Sequence, residues 1–537
     1  MSHGLRALLC EAVPVTERTE IAKTQAVRED NMSFNKNHHH IFCNVSRTFL
    51  AVACLMGLLL LSTGCGGAGA SLAKNPGGGG GVVFSSPLTP FQVWVGAEPT
   101  DRILSCRLEV TSLKLKNSQD LNATADLLGT PSDMELTRVE ATFSPVAVPE
   151  VPPSSFDQLE MVVTGARVTY LDANGVVQEK DVVSDQTSLL RLNPVVTVGD
   201  NPTMLSIAVD VNQTVQVDPV NNLVTLNTPV LSATQTDITS APGPSPSGIH
   251  ARPKTQAMSA SNSGQVERLV GQVVQVDGDF GQLSLQLGQS GSVLVLSFDG
   301  NTMFDNASPD TVNGMLVEVE GRARTDGTLY ASAVETLFPD TGVEAEGMLA
   351  GTNAPGLLNM VAEDGTGASM TSALVGTTLG VVVDDSTGYG IHLGNEDMGG
   401  LPVLFDAGHI AAGQRIEIDS DSALQPGKGN NSMQAQPYMV ELLRQTLQGT
   451  VQNYQPGESG AAEFDLVLTP SSYLGIMNAG TGTVHVYQRY TTQATIGIQD
   501  GMNLSVRGFL FCTDETDNVP PGTTLHFAMV ASSITGN

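Results

Sequence analysis

Apolar and polar residues alternate with a period of two along most of this chain, and long stretches of helical spacing are absent. Strand-like runs appear at Phe91 to Val95, Leu104 to Val110, Leu113 to Leu115, Gln158 to Val163, Ala166 to Leu171 and Met204 to Val211. Half-buried strands have this pattern because successive side chains point to opposite faces of a sheet. Asp172-Ala173-Asn174-Gly175 separates two of the runs and predicts a hairpin, since Asn-Gly tolerates the positive φ of a tight turn. The pattern predicts an all-β protein: an N-terminal β-sandwich over 91–234, then smaller β-units.

The later units are predicted from an internal repeat. Gly314-Met315-Leu316-Val317-Glu318-Val319-Glu320-Gly321 recurs as Gly501-Met502-Asn503-Leu504-Ser505-Val506-Arg507-Gly508. A third copy, Gly413-Gln414-Arg415-Ile416-Glu417-Ile418-Asp419-Ser420, ends in Ser instead of Gly. Met315, Val317 and Val319 are expected inside, as are Gln414, Ile416, Ile418, Met502, Leu504 and Val506. Glu318, Glu417 and Ser505 are expected to face outward. The bounding glycines mark turns or close backbone approaches. Each copy closes on a late strand, at Ala331 to Leu337, Ala435 to Leu442 and Phe527 to Ala531. Openings such as Gly271-Gln272-Val273 and Gly449-Thr450-Val451 complete the unit, so three consecutive β-units are expected at 265–340, 341–446 (with an insertion) and 447–537.

Composition separates these units. Residues 65–90, with Gly77 to Gly81, read as a flexible tether. Residues 235–264, around Ala241-Pro242-Gly243-Pro244-Ser245-Pro246, read as a Pro/Ser linker that lets the two halves move independently.

The run Phe49 to Leu61 is too short to span a bilayer comfortably and has the length of a secretory h-region. It ends in Leu61-Ser62-Thr63-Gly64-Cys65, which resembles the lipobox of bacterial lipoproteins, with Ser62 where the family usually carries Leu. The resemblance implies that Cys65 carries diacylglycerol in thioether linkage and becomes the mature N-terminus. Residues 1–64 are then a signal peptide with an upstream extension. Its first 31 residues hold Glu11, Glu17, Glu20, Glu29 and Asp30, which is wrong for an n-region, so Met32 is the expected start. His38-His39-His40 falls in the discarded part. Gly66 after the cysteine resembles lipoproteins passed to the outer membrane. The expected address is the bacterial envelope, facing the periplasm or the exterior.

Two further resemblances cover the folded parts. Val95-Gly96-Ala97-Glu98-Pro99-Thr100-Asp101, Leu108 to Leu115 and Val151 to Leu159 look like the uncharacterised-domain family numbered 4382, whose members are secreted or lipid-anchored bacterial proteins. The repeats resemble the uncharacterised-domain family numbered 5666, which implies OB-like barrels. Neither resemblance supplies catalytic residues.

Charge bears on partners. Residues 65–537 carry 19 basic against 50 acidic side chains. Such a surface repels phosphate backbones, so nucleic acid is excluded as a partner and the membrane is reached through the lipid. An envelope protein or a polysaccharide is the expected partner. No Gly-x-Ser-x-Gly, His-Glu-x-x-His, Walker loop or Cys-x-x-Cys occurs, so no catalytic residue is assigned and no enzyme is expected. A hydrolase of envelope polymers working through paired carboxylates, or sugar binding by the barrels, are the rival readings. Asp277-Gly278-Asp279, Asp299-Gly300-Asn301 and Asp419-Ser420-Asp421 offer oxygen ligands, but none continues into an EF-hand loop, and Asp-Gly suits β-turns equally. No metal or cofactor is assigned. Trp94 is the single tryptophan, and Tyr487, Tyr490 and Phe509 form at most a modest aromatic patch. Cys106 and Cys512 sit in different units, and Cys106 reads as a buried thiol.

Overall fold

The computed structural model describes residues 89–536, apart from 238–264, 288–292, 325–326, 338–341, 392–397, 428–430, 479–481, 514–525 and single positions 121, 200, 306, 355, 368, 372, 399, 432 and 495. Cys65, most of the tether and of the linker, His250 and His392 lie outside the described residues. The fold is all-β, a sandwich followed by OB-like barrels.

The sandwich packs two sheets face to face. One orders Val230–Asp237, Thr203–Asp210, Thr89–Ala97 and Phe143–Ala147; the other orders Thr124–Asp126, Ile103–Lys116, Ser154–Leu171 and Val177–Val198. Runs that look separate in sequence are continuous here. Ile103–Lys116 and Ser154–Leu171 each pass through β-bulges, at Val110 and Gly165, where the alternation slips by one residue. The core includes Phe91, Leu108, Leu113, Phe156, Met161 and Ile207, all 0–1% exposed. The first strand starts at Thr89, inside the expected tether, and the last runs to Asp237, inside the expected linker.

The first barrel joins Gln265–Asp277, Gln282–Leu287, Val293–Ser297, Leu329–Thr336 and Leu316–Ala323, and the last of these returns to the first. The third closes in the same order: Arg444–Pro456, Ala462–Leu468, Thr483–Ala494, His526–Gly536, Asn503–Thr513. The second keeps the order but splits its final strand. Met433–Ala435 pairs parallel with Thr378–Val382, whereas Met439–Leu442 pairs antiparallel with Arg415–Ser420. Gln436-Pro437-Tyr438 makes the break, and proline cannot donate to a sheet ladder.

The repeat has a physical basis in its glycines. Gly314, Gly413 and Gly501 open the three copies at φ +83°, +90° and +84°, which L side chains rarely adopt. Gly321 and Gly508 close two of them where a Cβ would lie 1.9 Å from the Tyr330 carbonyl oxygen and 2.1 Å from that of Val530.

Three expectations fail. Met315, expected inside, is instead 37% exposed. Glu318, Glu417 and Ser505 do not face solvent; they are 7%, 6% and 3% exposed. Their barrel faces are covered by neighbouring modules, which strand alternation alone does not register. Independent halves fail for the same reason. Trp94 of the sandwich joins the core of the first barrel, and Gln92 Nε2 donates to Gly327 O at 2.9 Å. Arg167 Nη1 donates to Ala373 O of the second barrel at 2.7 Å, and Tyr473 N of the third to Asp101 O at 2.6 Å. Phe509 and Phe511 of the third barrel pack into the core of the second.

Candidate functional site

The sandwich and the second and third barrels meet around a buried cluster of charged side chains. A short 3-10 turn, Thr137–Val139, swings Arg138 out of the sandwich and places Glu140 just behind it. In the second barrel Glu346 pairs with Asp364 and Gly347 with Ala362, so Glu363 is the extra residue of a β-bulge. Bulges re-aim side chains, and this one turns Glu363 into the junction while Asp364 stays on its rim. Gly347 permits it, since a Cβ there would lie 1.9 Å from the Val361 carbonyl oxygen. Arg415 opens the strand Arg415–Ser420 beside Met348 and is 5% exposed.

The contacts interlock. Arg415 Nη2 lies 2.7 Å from Glu363 Oε2 and 3.7 Å from Glu346 Oε2, and Nη1 donates to Arg138 O at 3.3 Å. Arg138 pairs through Nε with Glu346 and through Nη1 with Asp364 at 2.6 Å. Glu140 accepts from Thr100 N and Oγ1 at 3.0 and 2.6 Å, and its backbone oxygen accepts from Thr446 Oγ1. Gln445 Nε2 donates to Gly413 O and to the Tyr473 hydroxyl, and its Oε1 accepts from Arg415 N.

Burial raises the Glu140 carboxyl to about 8 against the opposing Thr100 bonds and the charges of Arg415 and Arg507. It raises Glu363 to about 8 as well, where Arg415 opposes and Glu135, Glu346 and Glu140 reinforce. Burial, with Glu140 next, drives the Tyr473 hydroxyl far above its ordinary range. Both glutamates keep protons on folding that the unfolded chain releases near 4.5. Their stabilisation is complete below pH 4.5, declines as pH rises, and is gone above about 8. The melting midpoint is therefore expected to be lower at pH 9 than at pH 6. The difference should shrink in the Glu140→Gln, Glu363→Gln double variant; an unchanged difference would refute the assignment.

A second cluster lies between the first and second barrels. Carboxylate oxygens of Glu318, Glu344 and Glu417 lie within 4.8 Å of one another, in a cavity of about 180 Å³ also lined by Asp419 and Asp421. These hard oxygens are the set that could hold a divalent cation. Glu318 and Glu417 are buried. Sequence spacing signalled Asp419 and Asp421 but not Glu318 and Glu344, which arrive from other strands. Asp277 and Asp299 instead cap turns, accepting from Phe280 N and Asn301 N.

Other candidates are dispersed. Phe509 is 0% exposed in the core and Tyr490 is 60% exposed, so the two do not share an aromatic face. Trp94 is buried and donates to Gln92 Oε1. His409 pairs with Asp406 in the second barrel and His485 with Asp465 in the third. Cys106 and Cys512 are buried thiols, not joined to each other. No helix among the described residues is long and apolar enough to cross a membrane.

No family model matches this chain, and no curated protein does. Among solved structures it is similar to the wild-type single-stranded DNA binding protein from Thermus aquaticus: 15% identity, 37% of this chain, 92% of that one and a TM-score of 0.13. A deletion mutant of that protein gives 15% identity, 37% and 94% coverage and a TM-score of 0.13. The exclusion of nucleic acid is corrected accordingly: the similar solved structures are single-stranded DNA binding proteins. Net charge describes the far field, whereas binding depends on the local face. A likeness at this TM-score carries no argument for a particular partner.

Proposed function

We propose that this protein is a lipid-anchored component of the bacterial envelope, acylated on Cys65, whose β-modules act as a non-catalytic binding or structural body. The segment Leu61-Ser62-Thr63-Gly64-Cys65, directly after an apolar run and before a Gly-rich stretch, carries the reading. The acidic balance of the chain favours attachment by acyl chain over attachment by protein charge, because anionic headgroups repel it. A single acyl chain holds a protein only marginally, whereas several together anchor it stably, as a diacylglycerol thioether would. The resemblance to lipoproteins passed to the outer membrane supports that address. Buried contacts between the sandwich and the barrels suit a body that presents its surfaces in fixed relation.

Labelled palmitate fed to producing cells should enter the full chain and be lost in Cys65→Ala, with the variant moving to the soluble fraction. Equal labelling of the variant would refute the anchor.

A further inference from the structure

We propose that the cleft lined by Arg138, Arg415, Arg444 and Arg507 binds a small tetrahedral oxyanion, a phosphate or sulfate group. The cleft lies where the sandwich meets the second and third barrels, with a volume of about 60 Å³. A single water takes about 30 Å³ of liquid, so there is room for such an ion in place of a few waters. Four of the 19 basic side chains of residues 65–537 converge here, on a chain of net charge −30. Thr142 and Ser144 add hydroxyl-bearing residues to the lining.

The polar accounting points the same way. Arg415 is 5% exposed, and its Nε has no hydrogen-bond partner, although Nη1 and Nη2 are engaged by Arg138 O and Glu363. A buried guanidinium N–H without an acceptor is costly, and an anion in the cleft supplies acceptors. One carboxylate, that of Glu346, also lines the cleft, where it pairs with Arg138 Nε. Guanidinium forks match oxyanions in a bidentate manner, which an ammonium cannot do. The surrounding acidic field admits small ions more readily than polyanions.

Calorimetric titration of the full chain with inorganic phosphate and with sulfate, at constant ionic strength, tests the site. Saturable one-to-one binding is expected, weakened about tenfold in Arg444→Gln and in Arg507→Gln, each having lost a charge-assisted hydrogen bond. Glycerol 3-phosphate binding tighter than orthophosphate would identify a phosphate carried on a larger molecule; the reverse order would identify the free ion. The proposal is overturned if neither anion gives saturable binding, or if both variants bind as the parent does. It is also overturned if a single-stranded oligonucleotide binds and orthophosphate does not compete. Should the variants fail to fold, selenate soaked into crystals of the unaltered protein decides, and anomalous signal located outside the cleft overturns the assignment.

Discussion

Arg415→Met is expected to lower the unfolding free energy by about 3–5 kcal/mol in a denaturant titration at pH 9. The guanidinium sits between Glu363 and Glu346 with its side chain 6% exposed, and methionine fills comparable space without charge. Removing one member of a buried pair leaves the other charge uncompensated, which costs more than the pair contributes net. The loss should be smaller at pH 6, because Glu363, raised to about 8 by burial, then carries a proton and needs no counter-charge. A comparison at the surface fixes the scale. Lys116 lies 2.5 Å from Glu160 with its side chain 33% exposed, and Lys116→Met should cost under about 1 kcal/mol. A loss at Arg415 as small as that at Lys116, or one independent of pH, would refute the account of the junction.

Gly508→Ala is expected to destabilise the protein by about 3 kcal/mol. The added Cβ would lie 2.1 Å from the Val530 carbonyl oxygen and 2.9 Å from the Ala531 Cα. Both are backbone atoms of the partner strand His526–Gly536, so relief requires a shift of the barrel wall itself. Gly508 faces Ala531 while Arg507 faces Ser533, which leaves Ser532 as the extra residue of a bulge. Gly321 sits at the matching place in the first barrel, opposite the bulge at Ser332. Gly497→Ala, in the same barrel with nothing within 4 Å of its added Cβ, should change stability by less than about 0.5 kcal/mol. Equal melting midpoints for the two variants would show that the close approach is not a constraint.

The repeat was legible because its determinants are local. Gly314, Gly413 and Gly501 satisfy one residue's φ, and Val317, Ile416 and Leu504 answer the two-residue period of a strand. Those requirements recur wherever the unit recurs, so they survive as a pattern in the chain. The hairpin at Asp172 was legible for the same reason, its carboxylate accepting from Asn174 N and Val176 N. The junction was not legible. Arg138, Glu363 and Arg415 come from distant segments and meet only because a bulge at Glu363 and a short turn at Arg138 aim them at one another.

The outward faces of the barrels draw the same line. Alternation distinguishes two sides of a strand but not what lies beyond either side, so Glu318 and Glu417 read as solvated while the packed modules bury them beside the half-buried Glu344. By itself the sequence determined strand periodicity, the glycine-bounded repeat and the all-β class, because each follows from steric and hydrophobic rules acting within a few residues. Tertiary structure alone decided which charges lose their water and which carboxyls keep protons. Desolvation depends on everything within several ångströms of a group, and most of that arrives from elsewhere in the chain.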